Sequence, residues 1–228
     1  MNEPQLASAA PQTPGFRMIS TLGAIAMLSG LLVVLVYQFT KPIIAENQRV
    51  AIEKAVFQVV PGATRRVDFI LGDDGVTVPG EDDATGEKIY VAFDDAGNLK
   101  GVALASGAQG YQDIVKLLYG YDPACSCIRG IKILKMTETP GLGDKIAFDP
   151  GFLKNFEALD AKLNDAGDAL ANPIVAVKAG KKQSAWEVDS ISGATISSVA
   201  VAKALDRSMQ RMAPLIQRYK KDLSRVKP

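Results

Sequence analysis

The sequence predicts an α+β fold in which one transmembrane helix near the N-terminus precedes a single mixed domain. Three observations support this fold class: residues 18–39 carry no charge, several later segments alternate apolar and polar positions, and residues 197–223 have helical apolar spacing. Strand and helix signals follow one another without a regular βαβ rhythm, which favours α+β. We therefore expect an N-terminal tail (1–17), an anchor (18–39) and one domain (43–228).

The anchor prediction rests on the length of the uncharged segment, because a helix of that length spans a hydrocarbon layer of about 30 Å. Arg17 and Lys41 flank the segment. A cleaved signal peptide is the alternative, but the apolar run is longer than usual and no small-residue cleavage site follows promptly. Glu3 and Arg17 hardly bias the orientation, so we expect the usual arrangement, with the main domain on the extracytoplasmic side of a bacterial inner membrane.

The elements of the domain follow from apolar spacing and from turn residues. Helices are predicted at residues 43–59, 149–163 and 197–223. Strands are predicted at residues 65–72, 127–139, 172–180 and 184–189, and as a hairpin over 88–108 with its turn at 94–98. The acidic residues 72–86 have the composition of a solvated loop, and their spacing does not match an EF-hand.

Composition excludes several classes of function. With 47% apolar residues the chain can bury a core, and 26 basic against 25 acidic residues leave no basic stripe for nucleic acid. The chain contains no histidine, so the commonest general base and transition-metal ligand are missing. We expect neither a nucleic-acid partner nor a metal site.

The cysteines, Cys125 and Cys127, form one C-x-C pair. They are too few for a disulfide framework, a zinc site or an iron–sulfur cluster within one chain. Two incidental thiols near a turn are the favoured interpretation, since a disulfide between residues two apart would be strained. A redox or metal role shared with a partner protein stays open.

The segment DSISGAT, residues 189–195, leads into the final predicted helix. Ser and Thr favour helix starts, and the free N–H groups of a helix start suit a phosphate, which Gly193 would let approach closely. A well-capped helix without any ligand explains the same residues. No base stands near Thr195, so modification of its hydroxyl is favoured over hydrolysis by it. Ser197 and Ser198 are expected to be ordinary helix-start residues.

The segment TETPGLGDKI, residues 137–146, ends a predicted strand in a Pro-Gly turn. Gly141 and Gly143 flank Leu142, which suggests a backbone held close to a flat or bulky partner. A purely structural turn is the alternative, with Glu138 facing solvent.

The chain resembles the FMN-binding G subunit of the Rnf electron-transport complex. The resemblance rests on a membrane anchor followed by ETPGLG and, some fifty residues later, by SGAT. The chain is similar, too, to the related C subunit of the Na⁺-translocating NADH:quinone reductase. The resemblance covers essentially the whole chain. The pairing of motifs in this order is highly specific, although each short string alone is not.

The resemblance implies a covalent flavoprotein. In this family a separate magnesium-dependent flavin transferase attaches FMN to a threonine through a phosphoester, which here implies Thr195. The other residues of the attachment pattern are Asp189, Ser192, Gly193 and Ala194. The resemblance also implies that the loop around the isoalloxazine and ribityl groups consists of Glu138, Thr139, Gly141, Leu142 and Gly143.

The function so implied is electron relay between ferredoxin and NAD, within an ion-translocating complex whose other subunits are partners. Two alternatives remain at this point: the C subunit of the quinone reductase, and an anchored scaffold that never carries flavin. Two aromatic residues could stack on a flavin: Trp186, which is expected in the core, and Tyr111, whose role is undetermined.

Overall fold

The structure is a computed structural model that describes residues 15–80 and 86–225. Its α-helices are α1 (Gly15–Val59), α2 (Pro150–Leu153), α3 (Thr195–Arg218) and α4 (Lys220–Arg225). Its strands are β1 (Arg65–Gly72), β2 (Gly75–Thr77), β3 (Glu87–Phe93), β4 (Leu99–Gln109), β5 (Ile114–Asp122), β6 (Cys127–Lys135), β7 (Leu159–Asp160), β8 (Val175–Val177) and β9 (Glu187–Asp189). Short 3-10 helices cover Gly143–Ala147 and Lys154–Phe156. The described residues fall into two compact units, which divide between Arg49 and Val50.

The first unit contains the apolar part of α1. Among the described residues, α1 is the helix long and apolar enough to cross a membrane, by length and composition. Its large apolar side chains, such as those of Leu22, Met27 and Val33, are exposed, as expected of a helix that faces lipid. The helices predicted at 18–39 and 43–59 are parts of this one helix, which continues through Pro42.

The second unit is built on a seven-stranded sheet in the order β2-β1-β3-β4-β5-β6-β7, with every neighbouring pair antiparallel. The predicted hairpin is confirmed as β3 and β4. In its turn the Asp94 N–H donates to the Asn98 carbonyl at 3.0 Å, and Gly97 adopts a φ of 81°. The α+β fold class is therefore confirmed.

Both faces of the central strands are buried, and a different helix covers each face. On β5, Leu117 and Tyr119 belong to the main core, which includes α3. Leu118 points the other way and packs with Val56 and Val59 in the last turns of α1. This alternation, one residue to each side, is what a strand provides. The packing on the main-core face holds α3 against the sheet.

Strand β5 is absent from the elements that the sequence predicts. The reason is its burial: apart from Lys116, the positions from Val115 to Tyr121 are buried, on both faces of the sheet. A strand buried on both faces reads as an apolar run rather than as an alternation, and therefore lacks the signal used to find the other strands.

The prediction of a helix over residues 149–163 is only partly right. Helix α2 and the following 3-10 turn end at Phe156, where the Phe152 and Phe156 rings meet edge to face at 5.2 Å. The chain then joins the sheet, because Leu159 in β7 pairs with Ile128 in β6. Pairing with a sheet edge overrides the helical spacing of this segment.

The remaining predicted strands are shorter in the structure. Residues 172–180 and 184–189 contribute β8 and β9, which pair in parallel through Val175 and Glu187. Trp186 lies half-buried in the turn before β9 rather than in the core. Strand β2 interrupts the predicted 72–86 loop, of which residues 81–85 lie outside the described part.

Cys125 and Cys127 form a disulfide, so the expectation of two incidental thiols is wrong. Their Cα atoms are 5.2 Å apart, within the usual range for a disulfide. Ser126, between them, adopts a φ of 53°, which turns the chain sharply enough to bring both side chains together. This left-handed residue is what allows a bridge over so short a separation.

Candidate functional site

A cavity of about 410 Å³ lies where the loop after β6 meets the start of α3. It is lined by Tyr111, Glu138, Thr139, Leu142, Gly143, Gly193, Ala194, Thr195, Ile196 and Ser197. The two motifs singled out in the sequence thus form adjoining parts of one wall. The volume is within the range of about 300–1,000 Å³ that is typical of ligand and cofactor pockets.

Thr195 is the first residue of α3, and its side chain is exposed at the cavity. In the described part of the chain, no acceptor bonds the backbone N–H groups of Thr195, Ile196 and Ser197. Free N–H groups and the partial positive charge of a helix start attract anions. The Thr195 hydroxyl therefore lies beside a place that suits a phosphate.

The start of α3 lacks the Ser or Thr cap that the sequence suggests. The N-cap residue is Ala194, with no side-chain capping bond. Ser198 braces this turn instead: its Oγ donates to the Ala194 carbonyl at 2.9 Å and accepts from the Ile191 N–H at 3.1 Å. The N–H groups of the first turn consequently stay available to a ligand.

Glu138 connects three parts of the cavity wall. Its side chain is buried, at 6% exposure. Oε1 accepts from the N–H groups of Tyr111 at 3.0 Å and Gln112 at 3.3 Å, and Oε2 accepts from the Ser197 hydroxyl. These donors compensate the burial of a carboxylate, which would otherwise be unfavourable. The alternative in which Glu138 faces solvent is therefore wrong.

Glycines leave room for this carboxylate. A Cβ on Gly143 would lie 2.6 Å from Ser197 Oγ and 2.7 Å from Glu138 Oε2, both closer than real Cβ contacts. A Cβ on Gly110 would collide with Glu138 Oε1. Any side chain at either position would have to displace the carboxylate or its donors.

Gly193 has a different reason to be glycine. Its φ of 82° lies in the left-handed region that other residues rarely adopt, whereas the space around it is ordinary: a Cβ would lie 3.6 Å from Leu142 Cδ2. The turn at Gly193 brings the chain into α3 beside Leu142. The two motifs make contact at this point.

Three residues predicted for the site do not line the cavity. The Asp189 carboxylate accepts from the N–H groups of Gly180 at 3.0 Å and Lys181 at 3.2 Å, so it fixes the turn that follows β8. Ser192 is exposed in the turn before α3, and Gly141 occupies a turn with a φ of 77°. These three positions lie outside the lining of the cavity.

Three lining residues were not predicted for the site: Tyr111, Ile196 and Ser197. Ser197 is 2% exposed, so it is not an ordinary helix-start residue as the sequence suggests. Its signal in the sequence is spacing, because Ser197 lies four residues before the buried Val201 on the apolar face of α3. A hydroxyl on a buried helix face needs a partner, and here the partner is Glu138.

Two side chains near the start of β9 have shifted pKa values. Burial lowers the pKa of Lys182, whose Nζ donates to Asn155 Oδ1 at 3.3 Å. Hydrogen bonds from the N–H groups of Gln183 and Ser184 lower the pKa of Glu187.

Across residues 15–80 and 86–225, no group of three or more His, Cys, Asp or Glu side chains could hold a metal ion.

Comparison with known proteins identifies two matching families. The FMN-binding domain family matches residues 110–210, and the RnfG N-terminal region matches residues 20–59. The G subunit of the ion-translocating oxidoreductase complex from Methanosarcina acetivorans is 30% identical over 194 residues, covering 83% of this chain and 89% of the relative. The protein of the same name from Escherichia coli K12 is 31% identical over 191 residues, covering 82% and 86%.

Solved structures show the same fold. NqrC of Shewanella oneidensis aligns with a TM-score of 0.59 at 17% identity, over 79% of this chain and all of that one (100%). The C subunit of the Na⁺-translocating NADH-quinone reductase from Parabacteroides distasonis aligns with a TM-score of 0.56 at 21% identity, over 81% and 97%. The predicted resemblance is thereby confirmed at the level of fold and family.

Proposed function

Because this chain belongs to the family of the G subunit of ion-translocating oxidoreductase complexes, we propose that it is the membrane-anchored flavoprotein of such a complex and relays electrons between ferredoxin and NAD. The observation that carries the proposal is that the matched family domain and the cavity involve the same part of the chain. The match to the FMN-binding domain, residues 110–210, contains every residue that lines the cavity. Bound FMN supplies one-electron chemistry, and the protein supplies placement and electrostatics.

The proposal includes covalent attachment, with Thr195 Oγ holding FMN through a phosphoester bond. Support comes from the exposed hydroxyl at the cavity and from the free N–H groups of the first turn of α3. The chain has no histidine, and three donors already occupy the Glu138 carboxylate. Attachment by a separate flavin transferase is therefore favoured over self-modification.

Apolar side chains at the cavity suit a flat ring. Tyr111, Leu142 and Ile196 are 67%, 49% and 53% exposed, so a ligand that covered them would remove apolar surface from water. Thr139 Oγ1 accepts from Gln112 Nε2 at 3.2 Å and keeps its own proton to donate to a polar ring edge. These groups would orient the cofactor without acid–base chemistry.

The proposed location is the inner membrane of a bacterium, with the domain on the extracytoplasmic side. The long apolar helix near the N-terminus supports the anchor. The Cys125–Cys127 disulfide supports the side, because disulfides persist outside the reducing cytoplasm. Fusions of alkaline phosphatase and of green fluorescent protein to the C-terminus test it: phosphatase activity with no fluorescence is expected, and the reverse would place the domain in the cytoplasm.

Covalent flavin is tested by producing the full chain together with a flavin transferase. After denaturing electrophoresis, the wild-type band is expected to fluoresce, and its intact mass to exceed the polypeptide mass by one FMN phosphoester. Thr195→Ala is expected to lose both signals. Thr64→Ala changes a threonine away from the cavity and is the matched control, which keeps both.

The outcomes separate the parts of the proposal. Flavin that co-purifies but is released on denaturation would leave FMN binding in place and contradict the covalent bond. A wild-type protein without any flavin would support the anchored scaffold instead.

The C subunit of the quinone reductase is the second candidate, favoured by the shared fold. Purification in mild detergent, followed by identification of the accompanying proteins, distinguishes the two. Ferredoxin-dependent reduction of NAD by that preparation supports the role in a ferredoxin-linked complex, whereas quinone reduction by NADH supports the alternative.

A further inference from the structure

We propose that Cys125 and Cys127 form a reversible two-electron redox site that undergoes thiol–disulfide exchange with a dithiol molecule. The pair occupies the turn between β5 and β6, and neither cysteine lines the cavity described above. The proposal is therefore independent of flavin binding.

The two sulfur-bearing residues differ in accessibility. Cys125 is exposed, whereas Cys127 is 6% exposed and begins β6. An incoming thiolate can therefore reach the Cys125 side of the bond, and access is a main determinant of exchange rates. The asymmetry defines one attacked sulfur and one leaving sulfur.

The bridge contributes little as a structural crosslink. A disulfide stabilises a fold mainly by restricting the unfolded chain, and the restriction is small when the two cysteines are two residues apart. The hairpin is also held by backbone pairing of Tyr121 with Ile128 and of Asp122 with Cys127. The fold therefore does not depend on the bond.

The closed form holds its backbone in an unfavourable conformation. Ser126 has a φ of 53°. Within residues 15–80 and 86–225, it is the only residue other than glycine with a positive φ. Residues other than glycine, asparagine and aspartate rarely adopt this region. The closed bridge requires this conformation, and exposed or strained disulfides are the ones that reduce readily.

The C-terminal part of the domain holds the turn in place independently of the bridge. Gln217 Nε2 donates to the Pro123 carbonyl at 3.1 Å and to Ser126 Oγ at 3.2 Å, and Lys220 Nζ donates to the same carbonyl at 2.8 Å. These bonds do not involve sulfur, so they survive reduction. They keep the two thiols close together, which favours reoxidation over reaction with other molecules.

The exchange balances in two steps. A thiolate of the dithiol attacks Cys125 Sγ, the bond between the two protein sulfurs breaks, and Cys127 leaves as a thiolate that takes a proton. The second thiol of the partner, as a thiolate, then attacks the partner's own sulfur in the mixed disulfide and releases Cys125 as a thiolate, which takes the second proton. Two electrons and two protons have passed to the protein, and the partner has become a disulfide; the reverse sequence oxidises the protein.

The test uses the full chain in detergent, equilibrated with graded ratios of reduced to oxidised dithiothreitol under native conditions. Free thiols are then trapped with a maleimide and counted by mass. The Cys125–Cys127 bridge is expected to be reduced at ratios that leave the buried disulfides of a reference secreted protein intact, so that both thiols become labelled together. The midpoint of thermal unfolding is expected to shift by less than about 5 °C on reduction. Labelling only after denaturation, or loss of cooperative unfolding on reduction, would overturn the proposal.

Single variants test the order of attack. Cys127→Ser leaves the exposed thiol of Cys125, and Cys125→Ser leaves the buried thiol of Cys127. With 5,5′-dithiobis(2-nitrobenzoic acid), Cys127→Ser is expected to react at least about ten times faster than Cys125→Ser, because the thiol of Cys125 is the accessible one. Equal rates, or the opposite order, would contradict the assignment of Cys125 as the attacked sulfur.

Discussion

The hydroxyl of Ser197 donates a hydrogen bond to the carboxylate of Glu138, although 59 residues separate them in the chain. The bond links the loop after β6 to the first turn of α3. The position of Thr195, two residues before Ser197, therefore depends on a carboxylate from a distant part of the sequence.

Glu138→Ala is expected to lower the free energy of unfolding by about 2–4 kcal/mol, because three donors lose their buried acceptor. Urea denaturation of the detergent-solubilised protein measures the change. Glu157→Ala, at an exposed glutamate, is the control and should change stability by less than about 0.5 kcal/mol. Equal stability of the two variants would contradict a structural role for Glu138.

Ser197→Ala is expected to cost about 1–2 kcal/mol, since it removes a hydroxyl donor from a charged acceptor. In a double-mutant cycle with Glu138→Ala, the two effects should fail to add by about 1–3 kcal/mol. Ser224→Ala, whose exposed hydroxyl bonds only its own helix, should add independently. Simple additivity of Ser197 and Glu138 would show that their contact contributes nothing to stability.

Gly143→Ala should be more damaging than Gly141→Ala. The first places a Cβ against Ser197 Oγ and Glu138 Oε2, whereas the second meets no atom within 4 Å and only strains a φ of 77°. We expect a loss of about 2–3 kcal/mol for Gly143→Ala from crowding, and about 1 kcal/mol for Gly141→Ala from strain. Chemical denaturation compares them, and the reverse order would mean that the carboxylate moves aside easily.

Stability is expected to fall at alkaline pH. Burial raises the pKa of Tyr119 and of Tyr121 above the ordinary value of 10.0. The folded state thus favours the neutral phenols, so their contribution is fully present below about pH 10 and is lost as the pH rises further. Tyr119→Phe should flatten the fall of the thermal midpoint from about pH 9.5 to about pH 11.5. The exposed Tyr111→Phe is the control, and an unchanged slope in Tyr119→Phe would contradict the assignment.

A charge in the anchor should reduce membrane insertion. Leu28→Arg lies near the middle of residues 18–39, where an arginine disfavours insertion by about 2.5–3.5 kcal/mol. The fraction of protein resistant to carbonate extraction should fall. Gln48→Arg, beyond the apolar segment, should leave that fraction unchanged, and equal behaviour of both variants would argue against a spanning helix.

Sequence alone identified most residues of the cavity wall, because these residues lie in two short continuous motifs. Gly193 and Thr195 belong to one short motif, and Leu142 and Gly143 to another, so each group could be recognised without knowing the fold. What the sequence did not reveal is the pairing between motifs. Glu138 is compatible with an exposed or a buried position until the turn between β4 and β5 and the start of α3 are placed around it.

The elements that the sequence failed to predict share a dependence on tertiary contacts. Strand β5 carries apolar residues on both faces because a helix covers each side, and this removes the alternation that marks a half-buried strand. Residues 157–163 have helical spacing, yet Leu159 gains a strand partner in Ile128. The Cys125–Cys127 bridge likewise depends on the backbone of a single residue, Ser126, which no composition rule reveals.

Hydrogen bonds from within the protein order the loop that enters α3. Ser198 Oγ holds Ile191 and Ala194, and the Glu138 carboxylate holds Ser197. The conformational entropy of this segment is therefore lost during folding, not during ligand binding. The site therefore loses little conformational entropy when it binds a ligand, which favours affinity. A change in the charge of the bound group should likewise cause only a small rearrangement of the protein.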